Sequence, residues 1–194
     1  MSSFWDDPFE GCLQAFAKLI GQDDDSRTKR YFRDQKQFEI NYDDRLFGGP
    51  KFGTRSARRG SILCTGLAGL WEHSGVYLGK GRIAELNSTG LIQAVSPKQF
   101  LCYGGGYEGR ILIACQSEWH VHESETVARR AEEFLGSNRD YHMIMDNCHQ
   151  FTSGCITGKT ENIDNAFWML EDTIRSEFCP GGSFTWEPAD FSGI

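Results

Sequence analysis

Asp146-Asn147-Cys148-His149-Gln150-Phe151-Thr152 is the stretch around which the chain is organised. Cys148 follows two residues of the helix-capping type and precedes apolar residues at helical spacing, so we predict a helix that begins at Cys148 and closes at Gly158. The positive end of a helix dipole lowers the pKa of a thiol. We therefore expect Cys148 to be a reactive thiol, with a small buried structural cysteine as the alternative.

A second stretch, Glu72-His73-Ser74-Gly75-Val76-Tyr77-Leu78-Gly79, alternates like a β-strand. Gly79-Lys80-Gly81 supplies the glycines of a tight reversal, and residues 82–87 return, which predicts a β-hairpin. A thiol nucleophile needs a base that accepts and returns a proton. His73 is our candidate for that base, and a histidine with a purely structural role is the alternative.

The predicted hairpin register places further polar side chains beside His73. If residues 79–81 form the loop, the numbers of facing residues sum to 160, so His73 lies opposite Asn87 and diagonal to Glu85 on one face. Either Glu85 or Asn87 could hold the His73 ring in one tautomer. If the loop were one residue longer or shorter, Glu85 and Asn87 would lie on the other face of the hairpin.

Attack by a thiol on a carbonyl group produces an oxyanion, which needs hydrogen-bond donors. The backbone N–H of Cys148 and one further donor would bind it.

The other histidines fit a catalytic role less well. Successive residues on a helix point about 100° apart, so His149 is predicted to be a poor partner for Cys148 although it is the next residue. His120 and His122 flank a predicted helix start and are expected on the surface, and His142 has no partner evident from the sequence.

Elsewhere the hydrophobic pattern predicts helices at both ends of the chain. Apolar residues at helical spacing predict a helix over residues 9–20. Ser124 is the predicted cap of a helix that ends at Gly136, and Asp164 is the predicted cap of the last helix. The tail from Pro180 is rich in glycine and aromatic residues, and we expect it to be loosely ordered or draped on the surface.

Length, charge and cysteine content narrow the class of protein. At 194 residues the chain fits one domain, and its net charge of −7 argues against a nucleic-acid partner. No stretch has the ~20 apolar residues of a membrane span. The start lacks the pattern of a secretory signal, so a cytoplasmic location is expected, with non-classical export as the alternative. The 7 cysteines contain no C-x-x-C pair, which predicts reduced thiols, no metal site and no cofactor.

A histidine that opens an H-x-G-V-Y-x-G hairpin, followed later by Asn-Cys-x-x-Phe, resembles the lecithin retinol acyltransferase (LRAT)-like group of the circularly permuted NlpC/P60 papain-like superfamily. Supporting matches are Arg59-Gly60-Ser61-Ile62 before the hairpin, and Gly136 with Tyr141 ahead of the Asn-Cys pair. The resemblance extends over roughly residues 55–160.

The resemblance implies an α+β fold, with an antiparallel sheet, packed helices and the permuted papain-like order of histidine before cysteine. It implies Cys148 as nucleophile and His73 as base. Glu85 falls where many members have a second histidine, and a carboxylate can orient an imidazole as well. His149-Gln150 replaces the family's usual Glu-His after the cysteine, and the membrane anchor of several animal members has no counterpart in this sequence.

The expected layout is an N-terminal helical extension over residues 1–54 packed on the body, a catalytic core over 55–160, and a C-terminal helix and tail over 161–194. The expected activity is that of a cysteine hydrolase or acyltransferase, which acts on the ester or amide carbonyl of an acyl-bearing lipid or peptide through a thioester. Transient membrane contact through the aromatic tail is compatible with it. The alternatives are a non-catalytic interaction protein with a protein partner, and a peptidoglycan amidase or endopeptidase.

Overall fold

The structure, a computed structural model, describes residues 54–67, 71–102, 110–116, 120–139 and 147–191. All of them belong to one compact unit, Phe52–Ile194. The N-terminal extension predicted over residues 1–54 lies outside the described residues apart from its last position, and so does His142. The domain boundaries therefore stay a prediction.

Seven strands form one mostly antiparallel sheet in the order β1-β7-β6-β2-β3-β4-β5. Among the strands of the described residues, only β1 and β7 pair in parallel. The strands are β1 (Arg55–Ser56), β2 (Ile62–Leu67), β3 (Trp71–Gly79), β4 (Arg82–Leu86), β5 (Ile92–Val95), β6 (Leu112–Cys115) and β7 (Thr185–Asp190). With the helices described below, they confirm the predicted α+β class.

The register predicted for the hairpin of β3 and β4 is confirmed at two residue pairs, but it shifts by one residue between Tyr77 and Gly79. Tyr77 faces Ile83 and Val76 faces Ala84, so the numbers of these facing residues sum to 160. Gly79 is the last residue of β3 and faces Arg82, so the reversal consists of residues 80–81 and is one residue shorter than predicted. The φ angles of residues 79–81 are all positive, at 84°, 52° and 66°. Two of these three are glycines, which adopt positive φ without a steric penalty. Because side chains alternate along a strand, this register brings the odd-numbered residues of both strands to one face.

Four helices occur among the described residues: α1 (Pro97–Cys102), α2 (Glu125–Glu133), α3 (Cys148–Thr157) and α4 (Phe167–Phe178). Ser124 caps α2 as predicted, because its side chain accepts a hydrogen bond from the Val127 N–H. The predicted cap of α4 is wrong. Ala166 holds the N-cap position without a side-chain hydrogen bond, and Asp164 Oδ2 instead accepts from Thr173 Oγ1 at 2.6 Å. Within the described ranges, no helix is long and apolar enough to cross a bilayer.

The two faces of the sheet are covered differently. One face carries an apolar cluster that includes α1, formed by Leu63, Tyr77, Ile83, Val95, Phe100, Ile111, Ile113 and Cys115. Helix α3 packs on β3, where Ser74 contacts it, and its first residue, Cys148, lies beside the start of that strand next to Glu72; α4 packs on α3. Burying each large apolar side chain contributes about 1.5–3 kcal/mol, so this layering fixes the position of α3 on the sheet.

The far end of α3 is capped from α2. Gly158 ends the helix in the left-handed region with a φ of 78°. Arg130 Nη1 donates to the carbonyl oxygens of Cys155 and Ile156 at 3.0 and 2.7 Å. Carbonyls in the last turn of a helix lack intrahelical partners, and a cation there complements the helix dipole. The predicted extent of α3, from Cys148 to Gly158, is confirmed.

The tail is a strand in the body of the sheet, which corrects our prediction that it is loosely ordered. β7 lies between β1 and β6, and Trp186 and Glu187 are buried. Trp186 Nε1 donates to Glu171 Oε1 at 2.9 Å, which ties the strand to α4. The sequence concealed this strand because Pro188 lacks a backbone donor and argues against a position between two neighbours. Among the residues that the structure describes, β1 faces β7 at Ala189 and Asp190, so Pro188 lies beyond this pairing.

Candidate active site

The start of α3 is fixed by the carboxamide of Asn147. Asn147 Oδ1 accepts from the N–H groups of His149 and Gln150, and Gln150 Oε1 accepts in return from the Asn147 N–H at 3.2 Å. Asn147 Nδ2 also donates to the Asn165 carbonyl at 2.6 Å. This capping box makes Cys148 the first residue of the helix, where the positive end of the dipole favours a thiolate.

His73 is held from behind by a buried carboxylate. His73 Nε2 lies 2.8 Å from Glu85 Oε2, and the exposed fractions of the two residues are 2% and 0%. Gln93 Nε2 donates to the other oxygen, Glu85 Oε1, at 2.9 Å. The Phe100 ring packs on the imidazole with its centroid 4.9 Å away. A carboxylate in this position fixes both the ring orientation and the tautomer of a histidine.

Asn87, the other residue predicted to orient His73, has a local role in the structure. Its Oδ1 accepts hydrogen bonds from the Thr89 N–H at 2.9 Å, from Thr89 Oγ1 at 2.7 Å and from the Leu91 N–H at 3.1 Å. An Asn side chain that takes nearby backbone donors stabilises a turn. These contacts hold the connection between β4 and β5, whereas Glu85 reaches the imidazole.

The Cys148 thiol lies between two imidazoles. The His73 side chain hydrogen-bonds to it, and His149 Nδ1 lies 3.9 Å from Sγ. The carbonyl oxygen of Glu72 is 4.0 Å from Sγ. Since His73 Nε2 is bonded to Glu85, its Nδ1 is the nitrogen left for the thiol. Cys148 is 5% exposed, so these interactions operate with little screening by water.

The Cys148 thiol and the two imidazoles shift one another's pKa values. Burial, the largest single influence, acts to raise the pKa of Cys148, but the charges and hydrogen bonds of His149 and His73 outweigh it and hold that pKa well below its usual range. Burial likewise acts to lower the pKa of His73, but Cys148 and Glu85 raise it to about 9. Between these two pKa values the site holds a thiolate and an imidazolium.

Residues 56–161, more than half of the 194-residue chain, match the protein family described as lecithin retinol acyltransferase. The chain belongs to the lecithin retinol acyltransferase family. Membership of this LRAT group, which is part of the NlpC/P60 superfamily, indicates acyltransferase or hydrolase chemistry with a cysteine nucleophile. A search of curated proteins found no match.

The other described thiols of this LRAT-family protein differ from Cys148 in the direction of their pKa shifts. The five cysteines that the structure describes as free are all buried, as the sequence predicts. Burial raises the pKa of Cys64 and Cys179, and it raises that of Cys115 to about 11 and that of Cys155 to about 12. Of these five, Cys148 is the thiol whose pKa is lowered. Reactivity at neutral pH is therefore expected at Cys148 alone among them.

The prediction that His149 is a poor partner for Cys148 is wrong. Helical side chains tilt toward the N-terminus of their helix, so the His149 ring reaches back to the sulfur. Ser74 of β3 meets His149 Nδ1 at 3.0 Å and keeps the ring there. The sequence signal for this contact is the small polar residue Ser74 next to His73 in β3, and it becomes informative only once α3 is known to lie on β3.

His120 is exposed as predicted, but the prediction of a surface position for His122 is wrong. His122 is 8% exposed, and its Nε2 lies 3.2 Å from Cys179 Sγ, while its ring stacks on Phe178. Burial lowers the pKa of His122. The end of α4 covers this residue, which the sequence pattern near residue 122 could not indicate.

In the part of the LRAT-family chain that the structure describes, no group of three or more His, Cys, Asp or Glu side chains is placed to hold a metal ion. The ionisable groups that the structure brings together at this site are the Cys148 thiol, the imidazoles of His73 and His149, and the Glu85 carboxylate.

Proposed function

We propose that this LRAT-family protein is a cysteine hydrolase or acyltransferase that cleaves an ester or amide bond of a lipid or peptide through a thioester on Cys148. The observation that supports this most directly is the hydrogen-bonded pair of Cys148 and His73, with Glu85 2.8 Å behind the imidazole. A nucleophile, a base and a group that orients the base are the three parts that thiol catalysis requires.

In the first step, the Cys148 thiolate attacks the carbonyl carbon of the substrate. A bond forms between Sγ and that carbon, and the carbonyl oxygen becomes an oxyanion. The bond from carbon to the leaving oxygen or nitrogen then breaks, and the His73 imidazolium gives its proton to the leaving alcohol or amine. The products of this step are the acyl-Cys148 thioester and a neutral His73.

In the second step, water or an acceptor hydroxyl or amine attacks the thioester. His73 takes the proton of the attacking group, the bond between Sγ and the acyl carbon breaks, and the Cys148 thiolate is restored. Water as acceptor makes the protein a hydrolase, and an alcohol or amine makes it a transferase. The protons and electrons balance without a cofactor.

Glu85 is the residue that we propose as the orienting group. Its carboxylate bonds to His73 Nε2, which keeps Nδ1 directed at the thiol and stabilises the imidazolium. For the oxyanion we propose the Cys148 N–H as one donor. The first N–H groups of a helix have no intrahelical partner, and the Asn147 side chain takes those of His149 and Gln150.

The test is to trap the acyl-enzyme. Purified protein is mixed with p-nitrophenyl esters of short and long acyl chains and, separately, with peptide p-nitroanilides. Intact-mass and peptide-mapping spectrometry then locate any adduct. We expect one acyl group on Cys148, removable by neutral hydroxylamine as a thioester is, and release of nitrophenol that is lost in the Cys148→Ala variant.

The matched control is Cys155→Ala, on the same helix but with a thiol whose pKa is raised to about 12. This variant should acylate like the wild type. Absence of an adduct on Cys148 with every donor, in folded protein, would contradict the proposal and favour a non-catalytic interaction protein. Turnover of the anilides alone would assign a peptide amide as the substrate bond, whereas turnover of the esters alone would assign an acyl ester.

A further inference from the structure

His149 makes contacts that the proposed mechanism does not use. Its Nδ1 lies 3.0 Å from Ser74 Oγ and 3.9 Å from Cys148 Sγ. Ser74 Oγ in turn lies 3.1 Å from Thr152 Oγ1, which donates to the Cys148 carbonyl oxygen at 2.8 Å. Ser74 and Thr152 are 0% exposed, and His149 is 6% exposed. These four residues form one short chain of polar contacts beside the sulfur.

Each hydroxyl in this chain has a single hydrogen, and counting hydrogens fixes the direction of every bond. The Cys148 carbonyl can only accept, so the Thr152 hydrogen points to it. Thr152 Oγ1 must then accept the hydrogen of Ser74. Ser74 Oγ has no hydrogen left for His149, so it accepts one from His149 Nδ1. The arrangement that satisfies all three short contacts therefore places a proton on His149 Nδ1.

We infer that Ser74 and Thr152 hold His149 in the Nδ1–H tautomer, so that its ring stabilises the Cys148 thiolate 3.9 Å away and does not take up the thiol proton. This inference deepens the proposed function and rests on it for the role of the thiolate. A nitrogen that already carries a proton cannot accept the thiol proton. His73 is therefore the base, and His149 stabilises the thiolate that results.

The charges around His149 agree with its role as the group that stabilises the thiolate while His73 acts as the base. The groups that face it are Cys148 on α3, Glu72 and His73 on β3. Burial acts to lower the pKa of His149, but the Cys148 thiolate and Glu72 outweigh it, so the pKa is raised. Near neutral pH the ring therefore carries more protons than a free histidine, and Nδ1 is protonated in both the neutral and the charged form of the ring.

The alternative is that His149 only fills space. Its ring lies 5.5 Å from that of Phe167 on α4, a packing contact that any planar side chain could make. Packing places no demand on the tautomer or on the Cys148 pKa. The two measurements below therefore separate the roles, and the first uses the wild-type protein, so it does not depend on a variant that folds.

The first measurement is the tautomer of His149 by 15N NMR of the wild-type protein, with His149→Gln used only to assign its signals. We expect Nδ1 to carry a proton at every pH at which the protein is folded, and any loss of a proton to occur at Nε2. A neutral ring with a bare Nδ1 and a protonated Nε2 would overturn the inference.

Thr152→Val tests the chain of hydroxyls, because valine keeps the shape and removes the hydrogen bond to Ser74. Ser74 can then donate to His149 Nδ1, and the neutral ring should shift to the Nε2–H tautomer. Thr157→Val is the matched control. Thr157 Oγ1 makes the same bond to a carbonyl four residues back, 2.9 Å from the Ser153 oxygen, but at the other end of α3. An unchanged tautomer in Thr152→Val would count against the inference.

The second measurement is the pH dependence of Cys148 alkylation by iodoacetamide, resolved by peptide mapping. An opposite charge within about 4–6 Å shifts a pKa by about 1–3 units. We therefore expect the midpoint to rise by about one unit or more in His149→Gln. A midpoint equal to that of the wild type would overturn the role of His149 and leave the proposed function standing, provided that Cys148 is still acylated. An ordinary midpoint in the wild type, with no acylation, would overturn both.

Discussion

His73 Nε2 lies 2.8 Å from Glu85 Oε2 in a part of the fold where both side chains are almost fully buried. A buried carboxylate is costly unless it is paired and its remaining oxygen is satisfied. Here Gln93 bonds to that second oxygen at 2.9 Å. The pair is therefore a stable arrangement that keeps the imidazole charged and fixed in direction.

Removing the charge of Glu85 should weaken the base. In Glu85→Gln the side chain keeps its shape but no longer stabilises the imidazolium, so the pKa of His73 falls from about 9. We expect kcat on a p-nitrophenyl ester to fall by about 10²–10⁴-fold, as for other orienting carboxylates. The alkaline limb of the pH–rate profile should move to lower pH by about one unit.

Two further variants serve as a rescue and a control for Glu85→Gln. Glu85→His introduces the residue type that the resemblance to the LRAT-like group implies at this position, and it should recover part of the rate that Glu85→Gln loses. Glu133→Gln removes an exposed carboxylate on α2 whose partner is the exposed Arg129, and it should change nothing. If the alkaline limb stays in place in Glu85→Gln, Glu85 does not act through His73.

The pH profile of the wild-type enzyme follows from the same two groups. Attack needs the Cys148 thiolate, which forms above a pKa held well below the usual thiol range, and the His73 imidazolium, which is lost above about 9. We expect kcat/KM to rise with a midpoint well below the usual thiol pKa and to fall with a midpoint of about 9. A single rise with a midpoint at the usual thiol value of about 8.5 would contradict the paired state.

The cap of α3 should contribute to stability in proportion to its hydrogen bonds. Asn147→Ala removes the acceptor for two helix N–H groups and the donor to the Asn165 carbonyl. We expect the free energy of unfolding, measured by urea titration, to fall by about 0.5–2 kcal/mol. Asn147→Asp keeps the acceptor and loses only the donor, so it should cost less. Equal losses in the two variants would show that the helix cap contributes nothing measurable.

The absence of a side chain at Gly75 is required by its neighbours. A Cβ there would lie 2.6 Å from the Ala84 carbonyl oxygen and 3.0 Å from the Phe100 ring. Gly75→Ala must displace backbone next to His73, and we expect a loss of at least about 1–3 kcal/mol in unfolding free energy together with a loss of activity. Gly182→Ala is the control. Its Cβ would meet its nearest atom at 3.6 Å, so its effect should stay within about 0.5 kcal/mol.

The C-terminal strand should be needed for folding. Trp186 on β7 is 5% exposed, donates to Glu171 Oε1 and stacks on Phe167 with centroids 5.6 Å apart. We expect Trp186→Ala to lower the unfolding free energy by about 3–5 kcal/mol, and Trp186→Phe to lower it less. A tail that is only draped on the surface, as the sequence suggests, would make both variants neutral in urea titration.

Local patterns in the sequence were sufficient to predict the β3–β4 hairpin and the helix that begins at Cys148. Alternation and two glycines gave the β3–β4 register, and the Asn-Cys pair with Gly158 gave both ends of α3. They also placed Glu85 on the face of His73. That placement holds because the register shift between Tyr77 and Gly79 offsets a loop that is one residue shorter than predicted. Asn87 could not be separated from Glu85 in this way, since its bonds to Thr89 and Leu91 depend on the turn that follows.

The sequence by itself therefore determined the elements that carry Cys148 and His73, since capping, alternation and turn preferences act over a few residues. Only the tertiary structure decided that His149 meets Cys148, because the contact depends on Ser74 of a strand 75 positions away. The same holds for β7, whose Pro188 obscures its local pattern and whose place in the sheet comes from pairing with β6. Contacts between distant segments depend on tertiary packing, which a short stretch of sequence cannot predict.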